Sequence, residues 1–152
     1  MTYFYFYIII DVRKLGEVKN KMSTRCLIGR KVGNNKVEYI YCHHDGYLDG
    51  VGETLKNYYT TKDKIDKLMA LGDLSALGKV AESNPNQFNF VGKIDYNLCA
   101  AYRDSGEEDV DSTIITEKEY IDKLSTNIWI EYLYLWDGEK WCYYCGDKWR
   151  AM

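Results

Sequence analysis

The sequence has no surplus of positive charge, since 20 lysines and arginines stand against 23 acidic residues and the net charge is −3. A general binder of duplex DNA needs a basic face that displaces the counterions of the phosphate backbone. Here the basic residues are interleaved with acidic ones along the chain. We therefore expect no duplex-DNA partner.

Long apolar runs are also missing. The most apolar stretch, residues 2–10, is less than half as long as a membrane-spanning helix, which needs about 20 apolar residues. No positive charge precedes this stretch and no small-residue cleavage site follows it, so it is a poor export signal. We expect no membrane partner and a cytoplasmic location.

Cysteine is present without a regular pattern, because the five residues are odd in number and unevenly spaced. This is typical of reduced thiols in a cytoplasm. Cys142 and Cys145 have the spacing of a zinc ribbon or a redox pair, but a structural zinc site needs four ligands and a redox pair usually precedes a helix. We expect neither a metal nor another cofactor.

Turn residues and hydrophobic periodicity predict the fold. The single proline and the lack of repeats leave no candidate linker, so one domain is expected. Its class is α+β, with a mostly antiparallel sheet of about five strands and two or three helices packed on one face. The predicted strands are 25–32, 36–42, 97–103, 128–136 and 140–145. The predicted helices are 50–59, 61–71 and one that begins at Thr116, and residues 73–78 are a predicted helical turn.

The first 21 residues differ from the rest. Codons for Gly16 to Val18 can read GGA-GAG-GTG, a purine-rich ribosome-binding sequence, and residues 19–21 would then be an A-rich spacer before the start codon of Met22. The apolar run has neither the charges nor the turn residues that natural edge strands use against aggregation. We expect residues 1–21 to be a non-native extension and residues 22–152 to be the domain.

The stretch 41–47 holds both histidines, a thiol, a carboxylate and two phenols at a predicted strand-to-helix junction. In a catalytic interpretation Cys42 is the nucleophile, His43 the general base and Asp45 its orienter. Ser23, exposed by removal of Met22, is a second candidate nucleophile. Asp45 and Gly46 are also what a hydrogen-bonded turn needs, and we favour this turn role over catalysis, so the catalytic residues stay open.

Two arginines at predicted strand ends suggest capture of an anion. Arg25 and Arg103 could form a guanidinium fork around a phosphate, since arginine presents a planar array of donors. We expect this ligand-binding site to comprise Arg25, His43, Asp45, Tyr47, Tyr102 and Arg103.

Several motifs together resemble a family of short, mostly uncharacterised proteins of phages and prophages in Gram-positive bacteria. The resemblance runs from Met22 to about Trp141, and the family often has Trp at position 44 and Pro at position 48. It rests on Ser23-Thr24-Arg25, Tyr41-Cys42-His43 with Asp45-Gly46-Tyr47, Leu71 to Ser75, Tyr102-Arg103-Asp104 and Tyr134 to Gly138.

The resemblance implies a protein of a mobile element that acts in the host cytoplasm and has no established reaction. The expected function is a binding protein, an anti-defence factor that occupies a host defence protein or sequesters a small nucleotide signal. It would not be an enzyme, and the tyrosine-rich terminal hairpin would allow homo-oligomers. The alternative is a small hydrolase or transferase that uses Cys42, His43 and Asp45, or an N-terminal Ser23.

Overall fold

The structure, a computed structural model, describes residues 24–89 and 95–152 of the chain. The predicted extension, residues 1–21, and Ser23 lie outside this part. The described part contains eight strands and four α-helices, a π-helical turn at Leu48–Gly52 and a 3-10 turn at Tyr102–Ser105. In chain order they are β1 (Arg25–Lys31), β2 (Lys36–Cys42), α1 (Glu53–Tyr58), α2 (Lys62–Leu71), β3 (Leu74–Ala76), α3 (Pro85–Asn89), β4 (Ala100–Ala101), β5 (Thr113–Thr116), α4 (Glu117–Thr126), β6 (Ile130–Trp136), β7 (Trp141–Cys145) and β8 (Lys148–Ala151).

All eight strands join one mixed sheet in the order β4-β3-β2-β1-β6-β7-β8, and β5 pairs with β2 on the same side as β3. The central pair β1–β6 and the short pair β2–β3 are parallel, and the other pairs are antiparallel. The α+β class is confirmed, but the prediction of about five strands is wrong. It missed β3, β5 and β8, which have only three or four residues each.

Helices cover both faces of the sheet, and this corrects the prediction that they share one face. Alternate residues of a strand point to opposite faces. Ile28 and Tyr134 belong to a core with α1 and α2, which includes Leu55 and Leu68. The intervening Leu27, Leu133 and Leu135 belong to a second core with Tyr120 of α4. The two layers leave β1 and β6 covered on both sides.

Local sequence signals set the ends of α2 and α4. The Thr61 side chain accepts a hydrogen bond from the Lys64 amide, and α2 ends at Gly72, whose φ is 74°. At α4, which begins after Thr116 as predicted, Thr116 and Glu119 form a capping box with both of its hydrogen bonds present. Such caps satisfy amides that have no partner within the helix. The segment after Gly72 was predicted to be a helical turn, but it is β3, which pairs with β2 and β4.

Candidate functional site

The junction after β2 is a backbone turn that brings the start of β1 against it. Asp45 has a φ of 58°, and its carbonyl accepts a hydrogen bond from the Val51 amide at 2.8 Å. The next amide, of Gly46, donates to the Thr24 carbonyl at 2.8 Å. A β-carbon at Gly46 would lie 2.7 Å from that same carbonyl oxygen. The Asp45-Gly46 pair therefore has the turn role, and it holds Arg25 beside the end of β2.

Two side chains, Arg25 of β1 and Tyr41 of β2, converge on one ring nitrogen of His43 and form a trio with it. The Arg25 Nε donates to His43 Nδ1 at 3.3 Å, and the Tyr41 hydroxyl lies 2.7 Å from the same nitrogen. A guanidinium N–H can only donate, so Nδ1 is the acceptor and Tyr41 must donate as well. The neutral ring then carries its proton on Nε2, which makes His43 a hydrogen-bond donor toward its surroundings.

The surroundings of His43 keep this ring neutral. Burial, the neighbouring His44 and the positive charge of Arg25, in that order, lower the pKa of His43 to about 4. Burial also raises the pKa of the Tyr41 hydroxyl to about 12, against the opposing effect of Arg25. At neutral pH the only full charge in this trio is therefore the guanidinium of Arg25.

The Arg25 guanidinium lies over an aromatic ring, 5.0 Å from the centroid of Trp129. Among the described residues no carboxylate forms an ion pair with it, whereas Arg30 pairs with Glu38 and Arg103 with Asp111. A cation held by a neutral imidazole and an aromatic face keeps its attraction for an anion, because no carboxylate compensates its charge.

Tyr102 reaches this trio from the far edge of the sheet. Burial raises the pKa of the Tyr102 hydroxyl, and a hydrogen bond to the Ser75 side chain and, to a smaller extent, the charge of Arg25 act in the opposite direction. The neighbouring His44 Nδ1 lies 2.9 Å from the Ser75 carbonyl and therefore donates to it. His44 touches His43, with ring centroids 4.6 Å apart. A continuous network thus joins Arg25 to Tyr102.

Arg103 has other partners. Its guanidinium donates to the Ala70 carbonyl at 2.7 Å and to Asp111 at 2.6 Å. The bond to Ala70 ties the 3-10 turn to the last turn of α2, and the bond to Asp111 ties it to the segment before β5. The structure therefore gives Arg25 and Arg103 separate partners and does not join them in a fork.

Asp45 and Tyr47 lie on the other side of the histidine pair. The Tyr47 hydroxyl donates to the Asp45 carboxylate at 3.1 Å, and neither side chain is hydrogen-bonded to His43. Together with His44 they line a pocket of about 330 Å³ against α1. Asp45 is therefore a neighbour of the Arg25 trio and not the orienter of His43.

Cys42 is fully buried, and its thiol lies 3.6 Å from the His44 carbonyl. It points into the core next to Cys26, its partner in the β1–β2 register.

No group of three or more His, Cys, Asp or Glu side chains in the described residues has the arrangement of a metal site. A search of the same residues for a helix long and apolar enough to cross a membrane finds none.

Tyr41, Ser75 and Trp129 belong to the site but were not among its predicted members. Tyr41 could have been found, because alternation along β2 places it on the same face as His43. Ser75 and Trp129 carry no such signal, since they reach the site through β3 and through the parallel pairing of β1 with β6.

Comparison with protein-family models, with curated proteins and with solved structures finds no match to the chain.

The depressed pKa of His43 predicts an acid-dependent loss of stability. The unfolded chain binds a proton near pH 6.5, whereas the folded chain does so only near pH 4. The free energy of unfolding should therefore fall as the pH is lowered from 6.5 to 4, and this contribution is complete at higher pH. Urea denaturation across this range should show a shallower fall for His43→Gln. Equal slopes for both proteins would contradict the neutral, buried ring.

Proposed function

We propose that the chain is an anti-defence binding protein of a phage or prophage, which captures a small anionic molecule of the nucleotide-signal class in the host cytoplasm. The observation that carries this proposal is the guanidinium of Arg25, which is half-buried and has no carboxylate partner among the described residues. An anion that binds there gains a charge-assisted hydrogen bond without displacing an internal counterion.

Donors and aromatic groups around Arg25 suit such a ligand. His43 presents its Nε2 proton, and Trp129 and Tyr102 bring aromatic rings to the same end of the sheet. Phosphate oxygens accept from the charged and neutral donors, and a base can stack on an aromatic face.

The arrangement supports binding over hydrolysis or group transfer. A general base needs a free lone pair near the proton that it removes, but His43 Nδ1 already accepts from Arg25 and Tyr41. The proposed nucleophile Cys42 has no exposed surface. The Asp45 carboxylate is bonded to Tyr47 and not to the imidazole.

A specific observation also favours a host protein as the partner. Ile128 and Trp129 follow α4 with 82% and 53% of their surfaces exposed, and Ile114 is 60% exposed. Exposed large apolar side chains often anchor a protein interface. In this second candidate function Arg25 would contact an acidic side chain of the partner.

Replacement of Arg25 by Lys tests the first candidate. A lysine keeps the charge but loses the planar donor array, so we expect about tenfold less retained ligand. The proteins are purified from a phage-susceptible host, denatured, and the released small molecules are quantified by mass spectrometry. Arg150→Lys is the matched control, because Arg150 is exposed on β8 at the other edge of the sheet.

Retention of an anionic small molecule by the wild type and the Arg150→Lys control, with loss in Arg25→Lys, supports the proposal. Absence of any retained anion, or equal amounts in all three proteins, overturns it. A host protein that co-purifies with the wild type but not with Trp129→Ala would instead favour the second candidate.

A further inference from the structure

A second pocket lies at the opposite end of β1 from Arg25. It has a volume of about 340 Å³ and is formed where the start of α2 crosses the ends of β1 and β6. Arg30 and Trp136 are neighbours in the register of these two parallel strands. The pocket is lined by Arg30, Lys31, Val32, Lys62, Ile65 and Trp136.

The charged side chains that line this pocket differ in sign from most of those that line the pockets beside His44 and Tyr41. Three of its lining side chains are cationic. Among the described residues, no acidic side chain lines it. The pocket beside His44 and the one beside Tyr41 each have three carboxylates in their walls, which are Asp45, Asp49 and Glu53 in the first and Asp73, Asp109 and Asp111 in the second. The charged groups that face this pocket in the described part of the chain are therefore all positive, and their carboxylate partners Glu38, Asp66 and Glu117 lie outside its lining.

Arg30 is fixed, and the two lysines are adaptable. The guanidinium is held by Glu38 at 2.8 Å and by Asp66. Lys62 has 84% of its side chain exposed and shares Asp66, while Lys31 is 46% exposed and lies 3.7 Å from Glu117. Exposed ion pairs stabilise a protein only weakly, so both ammonium groups can turn to another anion at small cost.

The floor of the pocket is apolar and aromatic. Trp136 is half-buried and is held by its tilted contact with Trp141, with ring centroids 5.6 Å apart. Ile65 of α2 is buried in the core below it. A fixed indole beside an aliphatic side chain accommodates a flat ring, because stacking needs area and little rearrangement.

We propose that this pocket binds a planar ring that carries a phosphate group, such as a nucleoside monophosphate. The ring packs on Trp136 and Ile65, and Lys31 and Lys62 hold the phosphate, while Arg30 contributes positive charge from its fixed position. The site is separate from the one at Arg25, since six residues of an extended strand span about 20 Å.

The test is calorimetric titration with AMP, adenosine and inorganic phosphate, performed on the wild type and again on Arg25→Lys, in which the site at the other end of β1 is weakened. AMP should bind saturably to both proteins and more tightly than adenosine or phosphate. The double variant Lys31→Gln/Lys62→Gln should weaken AMP binding by about tenfold and leave the binding of adenosine unchanged. Both lysine side chains are exposed at the surface, so the double variant should fold.

The double variant Lys64→Gln/Lys67→Gln is the charge-matched control, because both residues lie on α2 but outside the pocket. AMP should bind to it within twofold of its parent protein. Failure of Arg25→Lys to bind AMP overturns this second site without touching the proposal at Arg25. Equal weakening of AMP binding by the two lysine double variants also overturns the second site. That result would show that the net charge of the protein alone attracts AMP.

Discussion

Replacement of Gly46 by Ala is expected to lower the free energy of unfolding by about 2–3 kcal/mol, because the new methyl group has no space. It would lie 2.7 Å from the Thr24 carbonyl oxygen and 2.9 Å from Cys26 Cβ. The nearest of these atoms belongs to the backbone of Thr24, the residue directly before β1, and cannot move by rotating a side chain. The start of β1 must then shift, and Arg25 shifts with it, so the variant should also lose affinity at the Arg25 site.

Gly52→Ala provides the comparison for this prediction. A methyl group at Gly52 would meet the Tyr134 hydroxyl at 3.2 Å and the ring at 3.3 Å, contacts that a shift of a few tenths of an ångström relieves. We expect a loss of about 1 kcal/mol or less and unchanged ligand retention. Guanidinium denaturation of the two variants gives the ranking, and a Gly46→Ala protein as stable as Gly52→Ala would show that the turn is not packed against β1.

Truncation of Tyr120 to Ala should have the largest effect on stability, about 4 kcal/mol. The ring is fully buried in the second core, and its hydroxyl donates to the Tyr134 carbonyl at 2.7 Å. It stacks on Trp149, with ring centroids 6.2 Å apart. A loss of this size is a large fraction of the stability of a typical domain, so much of the variant should be unfolded in thermal scans.

Tyr120→Phe separates the hydrogen bond from the packing, and it should cost about 1 kcal/mol. If Tyr120→Ala stayed within 1 kcal/mol of the wild type, α4 could not be packed on this face of the sheet. The pair of variants therefore also tests the correction that helices cover both faces.

The parts of the fold that were predictable are those whose signals are local. The turn at Gly33 fixes the β1–β2 hairpin, and Thr61 and Thr116 cap the helices that follow them. The strand β3 was not predictable, because Leu74 to Ala76 pair with strands brought in by other parts of the chain. Its residues have no strong preference of their own, so tertiary pairing decides their conformation.

The distinction between local signals and tertiary contacts also applies to the candidate site. The hairpin register pairs Cys26 with Cys42, and one more step places Arg25 opposite His43, so their contact follows from the sequence of the hairpin. The separation of Arg103 from Arg25 does not follow from it, because it depends on the bonds of Arg103 to Asp111 and to the end of α2.

The parallel pairing of β1 with β6 has a consequence for synthesis of the protein. Arg25 pairs with Ile130, roughly a hundred residues later in the chain. A ribosome adds that many residues in about 5 to 20 s, and during this time the β1–β2 hairpin has emerged without the neighbour that closes its edge. Open strand edges recruit other chains. Nascent or truncated chains that end before β6 should therefore depend on chaperones and aggregate without them.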